Sequence, residues 1–271
     1  MIHVVTKHNR LAYKDLLTEM HRLRRVHFVE ERGWSAMTVR DGGEYDEFDD
    51  DQMIYLLAVE PDGSISCSMR MRPALTGSVL GDVFPHLIAE DETSIYASDV
   101  WEISRYFATG AARGRSGAPR RAEIRLASLE VALKHRAKRL VGMIDLEMLP
   151  PMLDGSGWRV RTLGLPAPYD EGVAQAVEMQ VSQAALRDME ELTGLSAPLS
   201  FELDPELVPG VPPQEIEAML RVANSVDGRR RMTLRIIQRV AELQDEISEE
   251  ELAAMVEYLG ELIARGESAR L

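Results

Sequence analysis

The sequence predicts an α/β (α+β) protein, with a helix-flanked sheet over residues 1–204 and a helical extension over 205–271. Three observations carry that expectation. The chain has 271 residues, 45% of them hydrophobic, which is enough to bury the core of one α/β domain with room for an appendage. Segments of strand-like and helix-like apolar period alternate between 99 and 192, as they do in α/β units. Pro205, Pro209, Pro212 and Pro213 then break the pattern, and only helical spacing follows them.

In chain order, residues 2–5 predict an opening strand. Tyr13 to about Glu31 predicts a helix, with Leu16, Leu17, Met20, Leu23 and Phe28 on its apolar side. Residues 32–51 read as loop, with Gly33-Trp34, Gly42-Gly43 and the acidic run from Glu44 to Asp51. Strands at about 53–60 and 64–72 are joined by the turn Pro61-Asp62-Gly63, and Pro73 closes the second. A strand at 99–107 leads through the glycine-containing stretch 110–119 to a helix at about 120–136. A strand at 139–144, a helix at about 147–153, strands at 158–164 and 173–181 and a helix at 182–192 complete the domain. Three amphipathic helices fit the extension, at 213–226, 229–246 and 249–265, the last opened by the capping box Ser248…Glu251.

Composition narrows the function. A net charge of −14 argues against general nucleic-acid binding. One cysteine, Cys67, excludes an intramolecular disulfide framework and a cysteine-rich metal site, and on a strand it reads as a quiet thiol. The N-terminal residues hold no extended apolar segment, so the expectation is a cytoplasmic protein; separately, no metal is expected. Within this acidic chain, residues 113–139 carry nine Lys/Arg against Glu123 and Glu130, a local excess of seven positive charges. Such a basic face suits an anionic partner.

The stretch Trp101-Glu102-Ile103-Ser104-Arg105 poses a conflict. It reads as a buried strand, yet it carries two charges, and burying a charge is costly unless it is paired or used. Strict alternation puts Glu102 and Arg105 on opposite faces, so they share one only if a β-bulge intervenes. Arg24 and Phe28 share a helix face. Arg70 and Arg72 share a strand face opposite Met69 and Met71. Trp34 follows Gly33, and Glu44, Asp46 and Asp49 supply carboxylates that invite pairing with these arginines.

Together the pieces Arg24-x-x-x-Phe28, Arg32-Gly33-Trp34, Glu44-x-Asp46-x-Phe48-Asp49, Ser68-x-Arg70-x-x-Pro73, Phe84-Pro85, Trp101-Glu102-x-Ser104-Arg105 and Gly157-Trp158 fall in one order and spacing. In them the chain resembles the acyl-homoserine-lactone synthases, the LuxI-type autoinducer synthases of quorum sensing, over roughly residues 1–200. The resemblance implies an N-acyltransferase-like (GNAT-like) three-layer fold with a splayed mixed sheet, and a bulge near 101–105 dividing an S-adenosylmethionine side from an acyl-pantetheine side. It implies transfer of an acyl group from acyl carrier protein or acyl-CoA to the amine of S-adenosylmethionine, then lactonisation with loss of methylthioadenosine. Carried over residue by residue, Glu102 becomes the candidate general base, with Arg70 and Arg105 beside it. Arg24, Phe28, Trp34, Glu44, Asp46 and Asp49 shape the S-adenosylmethionine pocket, and Arg113, Arg115, Arg120, Arg121 and Arg125 dock the acyl donor. Cys67, Met71 and Ala74 depart from the family pattern, and residues 141–145 lack the threonine common in makers of 3-oxo-acyl products, which implies an acyl chain without a 3-oxo group. The alternatives are a GNAT-like N-acyltransferase acting on another amine with acyl-CoA, and a non-catalytic ligand-binding relative.

Overall fold

The computed structural model describes residues 2–203, apart from 61, 151, 153–155, 170 and 171, together with Ser248, Glu250, Ala253 and Glu257. The Pro-rich linker and the three helices expected beyond 204 lie outside the described residues, those four positions excepted. In chain order the elements are β1 (Ile2–Val5), α1 (Lys14–Arg24), β2 (Thr38–Arg40), β3 (Gly43–Tyr45), β4 (Ile54–Val59), β5 (Ile65–Pro73), β6 (Val100–Ala108), α2 (Ala118–Lys134), β7 (Arg139–Asp145), β8 (Val160–Thr162), β9 (Ala167–Tyr169), β10 (Gly172–Gln180), α3 (Gln183–Thr193) and β11 (Ser200–Glu202).

The main sheet runs β11-β1-β4-β5-β6-β7-β10-β8, with β9 also paired to β10. Neighbours are antiparallel except β1 with β11 and β6 with β7. Strand β4 is buried on both faces, which explains its unbroken apolar run. Its Ile54, Leu56 and Ala58 join Met69, Met71 and the apolar side of α2, whereas Tyr55, Leu57 and Val59 join Leu16 and Met20 of α1. The result is three layers: α1 and its loops, the sheet, then α2 and α3.

Two features of this sheet build a cleft. Strands β6 and β7 pair only from Val100 to Glu102 against Arg139 to Val141 and then diverge. A Cβ on Gly142, the next residue, would stand 2.8 Å from the carbonyl oxygen of Ile103, so glycine is what lets the strands lie this close where they part. The second feature is a bulge in β6. Ser68 faces Phe107 while Arg70 faces Ser104, which leaves Arg105 and Tyr106 opposite the single residue Met69. Arg105 takes a left-handed φ of 50°. The expected bulge is therefore present, at the end of the predicted window. It reverses the alternation beyond Ser104, so Phe107 packs with Phe28 on the α1 side although Trp101 and Ile103 face α2.

Other expectations needed correction. The helix expected to about Glu31 leaves α-geometry at Arg24 and continues as π-helical turns over Arg25–Glu31. The loop at 32–51 contains the hairpin β2–β3, turned by Asp41 and Gly42, both at positive φ. Its β2 residues are all exposed, so no apolar alternation marks them. The strand expected at 158–164 shortens to β8, with β9 separate. The helix expected at 147–153 opens as a 3-10 turn over Leu146–Met148. A strand absent from the expectation, β11, extends the sheet beside β1; the Glu130 carboxylate holds it by accepting the Leu199 and Ser200 amides, each at 2.8 Å.

Candidate active site

The α1 face of β5 and β6 carries the charges that the sequence left unexplained. Arg70, Arg72, Glu102 and Arg24 are all buried. In the β5–β6 pair Arg70 faces Ser104 and Arg72 faces Glu102, and the bulge turns Arg105 onto the same side. There Arg24 binds Asp49 with both terminal nitrogens, at 2.8 and 3.0 Å, and Glu44 through Nε. Arg70 pairs with Asp46 and, at 3.1 Å, with Asp49, while its Nε donates to Ser104 Oγ at 2.9 Å. Arg105 lies 3.1 Å from Glu44 and 2.8 Å from Asp46.

Three guanidiniums and three carboxylates thus form one network of zero net charge. Burial raises the Asp49 carboxyl, but the Arg24 and Arg70 guanidiniums outweigh it and hold the group well below the usual carboxylate range. The network is not saturated. Arg70 Nη2 is buried with no hydrogen-bond acceptor, and Asp46 Oδ2, although ion-paired to Arg105, takes no aligned hydrogen bond. Unused buried donor and acceptor capacity side by side suits a zwitterionic ligand.

Aromatic rings border the network. Phe28 stacks on Trp34 at 4.8 Å between centroids, and the Arg105 guanidinium lies 5.7 Å from the Phe28 ring. Tyr169 meets Trp34 edge-on at 6.1 Å from across the cleft.

Glu102 sits apart from the network. Its two oxygens accept the amides of Val79 and Leu80, at 2.8 and 2.7 Å. Burial pushes its carboxyl up, and these two amides only partly offset that. A buried carboxylate with a raised pKa on the site face is suited to proton transfer.

The arginines expected to dock the donor divide. Arg113 pairs with Glu31, and Arg120 with Glu60 at 2.7 Å and with Glu123. Arg121 donates to the carbonyls of Ala112 and, at 2.8 Å, Gly114, closing the loop before α2. That loop is tight: a Cβ on Gly117 would stand 2.1 Å from the Ala112 carbonyl. Arg125 Nε reaches the Ser156 carbonyl at 3.3 Å, and Arg115 is exposed.

Besides Tyr169, three contributors had no role in the sequence reading. The Tyr55 hydroxyl donates to Asp49 at 2.9 Å, which its cross-strand register with Arg70 could have suggested. His21 stacks on Tyr45 and binds the Glu44 carbonyl at 2.9 Å. Met37 places its sulfur 3.3 Å from Arg105, and no pattern in the sequence marks it. Cys67 is buried, and burial pushes its thiol up to about 12, so it is inert as expected.

A sheet splayed between its parallel strands, a bulge at the opening and a charged basket on one side are the features of the N-acyltransferase-like α/β fold that the resemblance implied. Comparisons with known proteins narrow this. Residues 8–189 match the family model described as autoinducer synthase. Over 197 residues the chain is 32% identical to the isovaleryl-homoserine lactone synthase of Bradyrhizobium diazoefficiens, covering 72% of this chain and 86% of that protein. It superimposes on a CoA-dependent acyl-homoserine lactone synthase, BjaI, solved with SAM and isopentyl-CoA, with a TM-score of 0.68 and 29% identity over 75% of this chain and 95% of that one. A second CoA-dependent synthase, MesI, gives 0.63 and 27% over 74% and 98%. The chain belongs to the autoinducer synthase family, the acyltransferases that make acyl-homoserine lactones for quorum sensing.

Proposed function

We propose that the charged basket binds S-adenosylmethionine and that the splay between β6 and β7 admits the pantetheine arm of an acyl-CoA. The observation that carries this is the neutral network with Arg70 Nη2 and Asp46 Oδ2 left over. S-adenosylmethionine brings a carboxylate for a guanidinium, an ammonium and a sulfonium for carboxylates, and a sulfonium for the faces of Phe28 and Trp34. Arg24, Glu44 and Asp49 hold the basket in shape. Arg70 and Arg105 meet the ligand.

Glu102 takes the amine proton, directly or through a water, as the nitrogen attacks the thioester. It is poised for this by burial, and the Val79 and Leu80 amides fix its two oxygens. The bulge at Arg105 and Tyr106 leaves main-chain groups outside the ladder to stabilise the oxyanion. The adduct collapses to the amide as the CoA sulfur leaves with the second nitrogen proton as the thiol, and the methionyl carboxylate then attacks Cγ, closing the lactone as the Cγ–S bond breaks and methylthioadenosine departs.

For the donor, Arg113 and Arg120 already have carboxylate partners, which leaves Arg115 and Arg125 and the loop closed by Arg121 to meet phosphates at the start of α2. That favours a CoA pyrophosphate over the broad acidic face of acyl carrier protein. Residues 139–145 carry no threonine, consistent with an acyl chain lacking a 3-oxo group. Among the described residues no helix is long and apolar enough to cross a membrane, and the substrates are cytosolic metabolites, so we place the enzyme in the cytoplasm. Residues 1–204 act as the catalytic domain and 205–271 as an extension.

The test is to incubate the protein with S-adenosylmethionine and a panel of acyl-CoA and acyl-carrier-protein donors, following methylthioadenosine and lactone by mass spectrometry. Turnover with an acyl-CoA that lacks a 3-oxo group is the expected result. Absence of both products with every donor overturns the reading, and a preference for carrier-protein donors or 3-oxo products overturns those parts of it.

A further inference from the structure

We propose that Asp145 is a positioning residue for Trp34, acting across the cleft through Arg32 and Tyr169. Asp145 ends β7 on one lip of the splay, whereas Trp34 follows the π-helical turns on the other. One oxygen of the Asp145 carboxylate pairs with Arg32 Nη2 and the other accepts the Tyr169 hydroxyl. Each of these partners also touches the indole: the Arg32 guanidinium lies 5.3 Å from the Trp34 ring centroid, and Tyr169 meets it edge-on at 6.1 Å. Phe28 stacks on the same ring at 4.8 Å. The indole is therefore gripped by three groups, and two of the three are held by one carboxylate from the opposite lip.

Two further facts separate this arrangement from ordinary surface pairing. Trp34 Nε1 is buried and has no protein acceptor, so its hydrogen bond is left for whatever the ring closes upon. Burial, followed by the bond to Asp145, pushes the Tyr169 hydroxyl up to about 12, so it stays a donor to Asp145 throughout the neutral range. The Arg32–Asp145 pair itself is part-exposed, with side-chain exposures of 31% and 20%, and pairs of that kind contribute little to folding. Its removal should spare the fold and free the ring. A ring that must be ordered on binding weakens affinity, whereas a ring already fixed does not.

The inference rests on the reading that Trp34 closes over S-adenosylmethionine, so its test has a part that needs no turnover. Tryptophan emission and acrylamide quenching are compared for the wild type and Asp145→Ala, each with Trp34 present or as Trp34→Phe. Asp145→Ala is expected to red-shift emission and increase quenching, and both changes should vanish in the Trp34→Phe background. Identical spectra in wild type and Asp145→Ala overturn the proposal even if no lactone is ever made, so its failure is distinct from failure of the enzymatic assignment. With turnover in hand, Asp145→Ala should raise KM for S-adenosylmethionine about fivefold while changing kcat by less than about twofold. Asp145→Glu should recover part of the loss, and Asp145→Ala should add nothing once Trp34 is Phe. Additive effects in the double variant, or equal loss of kcat, overturn it.

Discussion

Two arginine–carboxylate clusters sit on this sheet, and their difference separates binding chemistry from surface chemistry. Across β7, β10 and β8, Arg161 pairs with Glu92 of the preceding loops at 2.7 Å and with Glu178 at 2.9 Å, and Glu178 with Arg139 at 3.1 Å. That ladder uses the same side chains at the same distances as the basket. Yet the Arg161 side chain is 46% exposed, whereas those of Arg24 and Arg70 are 1% exposed. Water reaches the Arg161 guanidinium and screens its two pairs, which leaves them weak. The basket carries a desolvation cost that close pairing only offsets, and a buried network with two atoms to spare makes sense as a place for a charged ligand.

The largest expected difference follows from breaking each cluster once. Asp49→Ala strands Arg24 and Arg70 without the carboxylate they share, so it should cost about 3–5 kcal/mol and abolish lactone formation, read by denaturant unfolding and product assay. Arg161→Ala is the control for this. Equal losses would erase the distinction between the two clusters.

A second contrast is pH. Burial, then the neighbouring Arg24 charge, lowers the His21 pKa from 6.5 to about 4. The unfolded chain takes up a proton near pH 6.5 that the folded one refuses until about pH 4, so stability falls as the pH drops through that window. The loss is on the order of 3 kcal/mol by pH 4, checked by midpoint temperature against pH in wild type and His21→Gln, where this contribution should be missing.

Glu102 lies between the two extremes, since neutral amides satisfy its buried carboxylate. Glu102→Gln presents an NH2 group to one of the two donors at Val79 and Leu80, so it should cost about 1–3 kcal/mol. It should also lower kcat by about 10²- to 10⁴-fold without unfolding the protein; full activity would remove Glu102 from proton transfer. The smallest effect belongs to the outer ladder, where Arg161→Ala should cost less than about 1 kcal/mol and show no difference from wild type at 1 M salt.

The sequence exposed the basket more readily than its surroundings, and the reason is physical. Charges on a strand that otherwise reads as buried, such as Glu102 and Arg105, conflict with local pattern and advertise themselves. By parity Glu102 and Arg105 could share a face only through a bulge, and one is seen at Arg105 and Tyr106. Elements without such conflict stayed hidden. Strand β2 is exposed throughout and β11 is three residues long, so neither carries a period to detect. The fate of the basic stretch was equally illegible: its charge could be counted, but the partners of Arg113 and Arg120 come from Glu31 and Glu60, distant in the chain. Asp145 and Tyr169 meet only because β7 and β9 both flank β10 at the same end.

The missing side chain at Gly142 has a mutational meaning of its own. Three paired residues hold β6 to β7, and the seam between the two halves of the sheet opens immediately beyond them. Because a Cβ at 142 would stand 2.8 Å from the Ile103 carbonyl oxygen, closer than such contacts allow, even Gly142→Ala must push the strands apart at the root of the seam. Such a change would widen the throat without touching any charged or aromatic residue, and would register first as altered preference among acyl donors of different girth.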